Sequence, residues 1–170
     1  GISDLAKRIH EQGMRLGLTT WAPLDYAGIA DILVPHHTGC TEQIRSGVRE
    51  AGSVFWAYSV GPFHYSTNYH LPRFIAGVWR WKVRPEVWLA WSYMDCRGDT
   101  PVMRGLRDGC MDYRMLRALE DALAKKDHPE ARAWLEKLRA DIPWNPEADI
   151  PARAPRYARP YLGSETGVPK

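Results

Sequence analysis

At 170 residues, 45% hydrophobic and 25% charged, the chain has the make-up of one globular domain, which excludes a disordered tail or a collagen-like repeat. Lys plus Arg number 23 against 20 Asp plus Glu, and the resulting net charge of +3 is too small to imply a surface dedicated to nucleic acid or to a membrane.

In chain order, Ser3-Asp4 is placed to cap a helix over 4–12, with Leu5, Ala6 and Ile9 at helical spacing and Gly13 as a left-handed terminator. The apolar run 14–21 then predicts a strand, closed by Ala22-Pro23. A second strand over 29–35, a helix over 41–51, a third strand over 53–60, a helix over 71–82 and a fourth strand over 87–93 continue the alternation. Strands apolar on both faces and separated by helices predict parallel pairing under helical cover, so the fold class is α/β. A helix over 105–125 sets Leu116, Leu119 and Leu123 on one stripe with Met111 and Met115 beside it, and Lys125-Lys126 suits the dipole at its end. A last helix starts at Pro129 and buries Trp134, Leu135 and Leu138. The organisation expected is an ordered region over 1–142 followed by a Pro-rich extended tail over 143–170.

The chain begins without a methionine, in what reads as the opening of a helix, and is expected to be a piece of something longer. No apolar run approaches the roughly 18 residues that span a bilayer, and Gly1-Ile2-Ser3-Asp4 is no secretory leader. Neither a membrane nor a nucleic-acid partner is expected, and the sequence indicates no localisation. Cys40, Cys96 and Cys110 are odd in number, widely spaced and free of any CxxC, which predicts buried thiols rather than a disulfide framework or a zinc site.

Eight tryptophans and eight tyrosines are many for this length, and their positions matter more than their number. Ligands of parallel α/β folds bind at the C-terminal ends of the strands, where the loops diverge from a rigid sheet. Those ends carry Trp21, Asp25 and Tyr26; His36 and His37; Tyr58, His64, Tyr65 and Asn68; and Trp91, Tyr93 and Asp95. A sugar ring offers an apolar C–H face and a rim of hydroxyls, which indole and phenol platforms with nearby hydrogen-bonding groups fit. Carbohydrate is therefore the expected ligand class, with Trp21, Tyr58, Asn68, Trp91 and Tyr93 as substrate-binding residues. Trp56, Trp79, Trp81, Trp88 and Trp134 are expected in helix and sheet packing.

His36 and His37 are adjacent on a strand and are expected to point to opposite faces, so no metal site is predicted. GxGxxG, GxxxxGK[ST] and GxSxG are absent, and no cofactor is expected. Trp79-Arg80-Trp81-Lys82 interleaves rings and cations, but its apolar neighbours Phe74, Ile75 and Val78 fit a packed helix better than a nucleic-acid surface. An independent hydrolase using Asp25 and Asp95 would need their carboxyl groups about 5 to 10 Å apart across a cleft.

Residues 54–60 with Pro62 and Asn68, then Trp79-Arg80-Trp81-Lys82, then 87–91, resemble the last two β/α units of the catalytic barrel in glycoside hydrolase family 123 and the related DUF4091 proteins. Arg107-Asp108-Gly109, with Asp112-Tyr113 and Leu116 following, resembles the signature of that family's final helix. The likeness covers roughly 14–125 and implies the C-terminal half, about strands five to eight, of a (β/α)8 TIM-type barrel. It also implies a β-N-acetylhexosaminidase-like hydrolase in which the sugar's acetamido oxygen attacks the anomeric carbon, assisted by an adjacent Asp-Glu pair. No Asp-Glu dipeptide stands at a strand end here, so binding residues carry over (Tyr58 and Asn68 by motif, Trp91 more loosely) and no catalytic residue does. Glu86-Val87-Trp88 departs from the family's glycine before the last strand. The partner expected is an oligosaccharide or glycoconjugate, together with self-association or the missing N-terminal half of the same barrel. A non-catalytic carbohydrate-binding or assembly half-barrel is the alternative. Within the signature, Asp108 is expected to cap the helix, Gly109 to allow close approach and Arg107 to pair with a carboxylate or carbonyl.

Overall fold

The computed structural model describes residues 1–59, 69–90 and 99–146. These fall into two compact units, one drawn from 1–59 and 83–90, the other from 69–82 and 99–146.

The first unit opens with α1 (Ile2–Glu11), whose N-cap is Gly1. Ser3 and Asp4 therefore lie inside the first turn; Asp4 still takes part in the cap, its carboxylate accepting from the Gly1 amino group at 2.7 Å, and the expectation is corrected for Ser3. The far end follows the sequence reading: Gly13 is left-handed at φ 69°, its N–H donates to the His10 carbonyl at 2.8 Å, and Met14 N–H reaches back to Ile9 O at 3.2 Å. These two bonds form a Schellman closure that a residue with a Cβ would strain. Asp31 then anchors the sheet to this helix, accepting from His10 Nε2 at 2.8 Å and from Leu16 N–H at 2.7 Å. The same two bonds hold its carboxyl below the usual range.

All strand pairings are parallel. β1 (Gly17–Thr19) pairs with β2 (Ile32–Val34), and β2 with β3 (Val54–Phe55), bringing Leu18, Leu33 and Phe55 into line; β4 (Ala57–Ser59) pairs with β5 (Trp88–Ala90). β3 and β4 are one extended run interrupted at Trp56. Tyr58 N–H continues the β2 edge by donating to Pro35 O at 3.1 Å, while Ala57 N–H donates to Val87 O at 3.0 Å on the other side. The strands thus lie side by side in chain order. No barrel closes among the described residues.

Along 53–59 burial alternates strictly: Ser53, Phe55, Ala57 and Ser59 are buried, and Val54, Trp56 and Tyr58 are half-buried. The expectation of strands apolar and covered on both faces is corrected for this run, which is fully covered on one face only. α2 (Glu42–Glu50) links β2 to β3; Thr41 Oγ1 accepts from Ile44 N–H at 3.1 Å to cap it, and Val48 is its buried contact. Its last turn is fastened by Arg49, which donates to Glu86 Oε1 at 2.8 and 3.1 Å and to Arg84 O at 2.7 Å.

The second unit is helical. α3 (His70–Phe74) runs through a π-helical turn (Ile75–Trp79) into α4 (Arg80–Val83), and α5 (Pro101–Lys125) and α6 (Pro129–Asp141) follow. Thr100 Oγ1 caps α5 by accepting from Met103 N–H at 3.2 Å. Asp108 lies in the second turn, so its expected capping role is corrected. Glycine governs how α5 meets the preceding helix: a Cβ on Gly105 would come within 2.2 Å of Tyr69 O, and one on Gly109 within 2.5 Å of Arg73 O. Gly77, in the π-helical turn, faces Gly109 O at 3.0 Å on the same terms.

Side chains lock that crossing. Tyr69 Oη donates to Asp108 at 2.6 Å, Arg73 donates to Asp112 through Nε at 2.6 Å and Nη2 at 2.9 Å, and the Arg80 guanidinium lies 4.4 Å from the Tyr113 ring centre. Trp79 and Trp81 are buried, as expected, with the Arg139 guanidinium 4.3 Å from the Trp81 ring centre. Trp56 and Trp88 are half-buried. One other expectation is corrected: Trp134 (53% exposed) faces outward, as do Met111 (49%) and Met115 (67%) beside the leucine stripe, while Leu116, Leu123 and Leu135 take the core. Trp144 ties the first tail residues down, its carbonyl accepting from Trp79 Nε1 at 2.7 Å and its ring lying 5.2 Å from Lys82 Nζ. No helix among the described residues is long and apolar enough to cross a membrane.

Candidate functional site

Within the first unit, the C-terminal ends of three strand runs converge on one group of rings. Trp21 follows β1, and its ring centre lies 5.0 Å from that of His36, which follows β2; the His36 ring is 5.1 Å from that of Tyr58 on β4, edge to face. Parallel pairing causes this, because strands in register deliver their trailing residues to a common rim, and a bridge between His36 and Tyr58 extends the register to the site. Trp21 is 71% exposed and Tyr58 half-buried, so the cluster presents an indole face to solvent above a fixed base.

The base is set by the two imidazoles. Their ring centres are only 4.1 Å apart, so the expectation that they point to opposite faces is corrected. His37 begins a 3-10 turn (His37–Gly39), and the change of backbone direction there swings its side chain to the same side. Thr38 directs both its hydroxyl, at 2.7 Å, and its N–H, at 3.4 Å, to His36 Nδ1. An N–H can only donate, so Nδ1 is the acceptor and neutral His36 carries its proton on Nε2. Burial pushes the pKa of His37 down to about 4, opposed by a hydrogen bond to the Tyr58 main chain. His37 is therefore uncharged at neutral pH and acts as packing that supports the Tyr58 strand.

Cys40 is buried beside this group with Sγ 3.5 Å from His36 O, and burial pushes its thiol up to about 12. Such a thiol supplies no nucleophile. Asp25 is exposed on the 3-10 turn Pro23–Tyr26. Among the described residues no three His, Cys, Asp or Glu side chains are gathered as metal ligands.

Of the residues expected to bind substrate, Trp21 and Tyr58 are thus brought to one rim, while Asn68, Trp91 and Tyr93 lie outside the described residues, as do His64, Tyr65 and Asp95. The sequence reading missed that His36 joins these two rings. Pro35 before it and Thr38-Gly39 after it, turn-forming types that end the strand, were the available signal. The arrangement can stack one flat apolar surface and offer hydrogen-bonding atoms at its edge. Compared with known proteins, the chain matches no family model, no curated protein and no solved structure.

Proposed function

We propose that this chain forms part of the sugar-binding face of a glycoside hydrolase barrel of the family 123 and DUF4091 type, acting on a β-N-acetylhexosaminide. It would supply the later β/α units of the barrel and binding residues at their strand ends. The observation that carries this reading is the Trp21, His36 and Tyr58 cluster: an exposed indole beside fixed polar rings at the C-terminal end of parallel strands suits the C–H face and hydroxyl rim of a sugar. Strands side by side in chain order support the barrel, since a doubly wound sheet reverses its order at the ligand site. The signature-like residues on α5 support it through packing, since Asp108, Gly109, Asp112 and Tyr113 meet the segment Tyr69–Arg80 before it.

On this reading the carboxylate pair that orients the acetamido group and protonates the leaving oxygen belongs to another part of the barrel. Trp21 and Tyr58 hold the ring, and His36 supports Tyr58 through its ring contact and the backbone bridge between them. Titration of the 170-residue chain with β-linked N-acetylglucosamine and N-acetylgalactosamine glycosides, followed by tryptophan fluorescence, tests the proposal. Saturable quenching that Trp21→Ala abolishes without changing the melting curve is expected. A chain that binds neither glycoside overturns it.

A further inference from the structure

α5 carries a second apolar stripe, on the side away from the packed glycines. Met111, Met115, Ala118 and Ala122 recur at spacings of four, three and four, and all four are exposed. That spacing is the a/d seam of a coiled coil. α5 is 25 residues long, about 37 Å, enough to present the whole seam on one rod. Isolated exposed methionines need no explanation, but four apolar residues in heptad register with charged neighbours do.

The geometry points to a second copy of this chain as the occupant, with α5 packed antiparallel against its mate. In that orientation an a position lies level with a d position of the partner helix. Setting Met115 against the partner's Ala118 also sets Met111 against the partner's Ala122, so every layer joins a large side chain to a small one and the seam fills evenly. In the same register the flanking g positions meet g positions, which places Arg114 beside the partner's Asp121 and Asp121 beside the partner's Arg114. Both are exposed, and neither forms an ion pair among the described residues. One layer further out, Lys125 faces the partner's Asp108. The parallel alternative fails on the same residues: it would put Lys125 against Lys125 and Asp108 against Asp108, and it would stack methionine on methionine and leave gaps between paired alanines. The two-fold axis is therefore selected by charge as well as by volume, as a self-complementary interface requires.

Sedimentation equilibrium of the wild-type chain across micromolar concentrations, beside Arg114→Asp, Asp121→Arg and the double variant, tests the pairing. A reversible wild-type dimer is expected. Each single reversal creates two like-charged contacts and should weaken the dimer about tenfold or more, and the double variant should restore it. The substituted side chains are exposed on a helix, so the monomer's circular dichroism should not change. A monomeric wild type, covered on this face by its own residues 147–170 or by nothing, overturns the inference. So does a dimer indifferent to the reversals, which would be held by the sheet instead.

Discussion

Arg73 and Asp112 face each other across the crossing of α3 and α5 with two parallel hydrogen bonds, Nε at 2.6 Å and Nη2 at 2.9 Å, while Arg73 Nη1 also donates to Tyr69 Oη at 3.1 Å. The paired form is an ordered fork rather than a loose surface contact, although both side chains keep some solvent access. Arg73→Lys cannot reproduce the fork and is expected to lower the unfolding free energy by about 1 kcal/mol. Urea denaturation should register that loss with an unchanged m-value. A neutral Arg73→Lys would mean that the crossing does not depend on the fork and is held by its glycines and its other side-chain contacts.

Asp108 gives a related test with a different partner. Its carboxylate accepts from Tyr69 Oη, which holds its pKa below the usual range and raises that of the tyrosine. Asp108→Ala and Tyr69→Phe should each destabilise the fold, and their combination by less than the sum, because the second change removes a bond already broken. Additive costs in a double-mutant cycle would show that the two side chains act independently.

Gly109→Ala sets two effects against each other. The new methyl would favour the helix by about 1 kcal/mol, but it would sit 2.5 Å from the Arg73 carbonyl oxygen and 2.9 Å from Ala76 Cβ. Backbone cannot move aside as a side chain does, so a net destabilisation of about 1 to 3 kcal/mol is expected, read as a lowered Tm. Gly47→Ala is the control, since its new methyl meets only the end of the Leu24 side chain at 2.7 Å.

Every expected helix and strand has a counterpart among the described residues, because caps, prolines and apolar runs are local signals that survive without tertiary information. What stayed illegible depends on partners. α5 has two apolar stripes, and periodicity cannot say which one meets a neighbour; Leu116 and Leu123 do, and Met111 and Met115 do not. Asp108 looks like a cap because Asp is a preferred N-cap residue, yet the helix begins earlier after Thr100, whose hydroxyl does the capping. The rim residues were legible at Trp21 and Tyr58, where strand ends fix position. The meeting of His36 with His37 was not, since it depends on a backbone turn that alternation ignores.

His37 makes the fold sensitive to mild acid. Its folded pKa lies near 4, below the ordinary 6.5, because burial penalises the charged ring more than its hydrogen bond to the Tyr58 main chain favours it. A base whose pKa is depressed on folding binds its proton first in the unfolded chain. The unfolded state therefore gains protons between about pH 6.5 and pH 4 while the folded state does not, and stability, complete above that window, falls with pH across it by at most about 1.4 kcal/mol per unit. Below about pH 4 this contribution is spent, and the carboxyls of Asp31 and Asp108, held below their ordinary 3.8, take over. Chemical denaturation in steps from pH 7 to pH 4 should show a decline in the unfolding free energy within that window, and His37→Gln, which cannot titrate, should remove its slope while lowering the plateau. An unchanged slope in His37→Gln would assign the acid sensitivity to other groups.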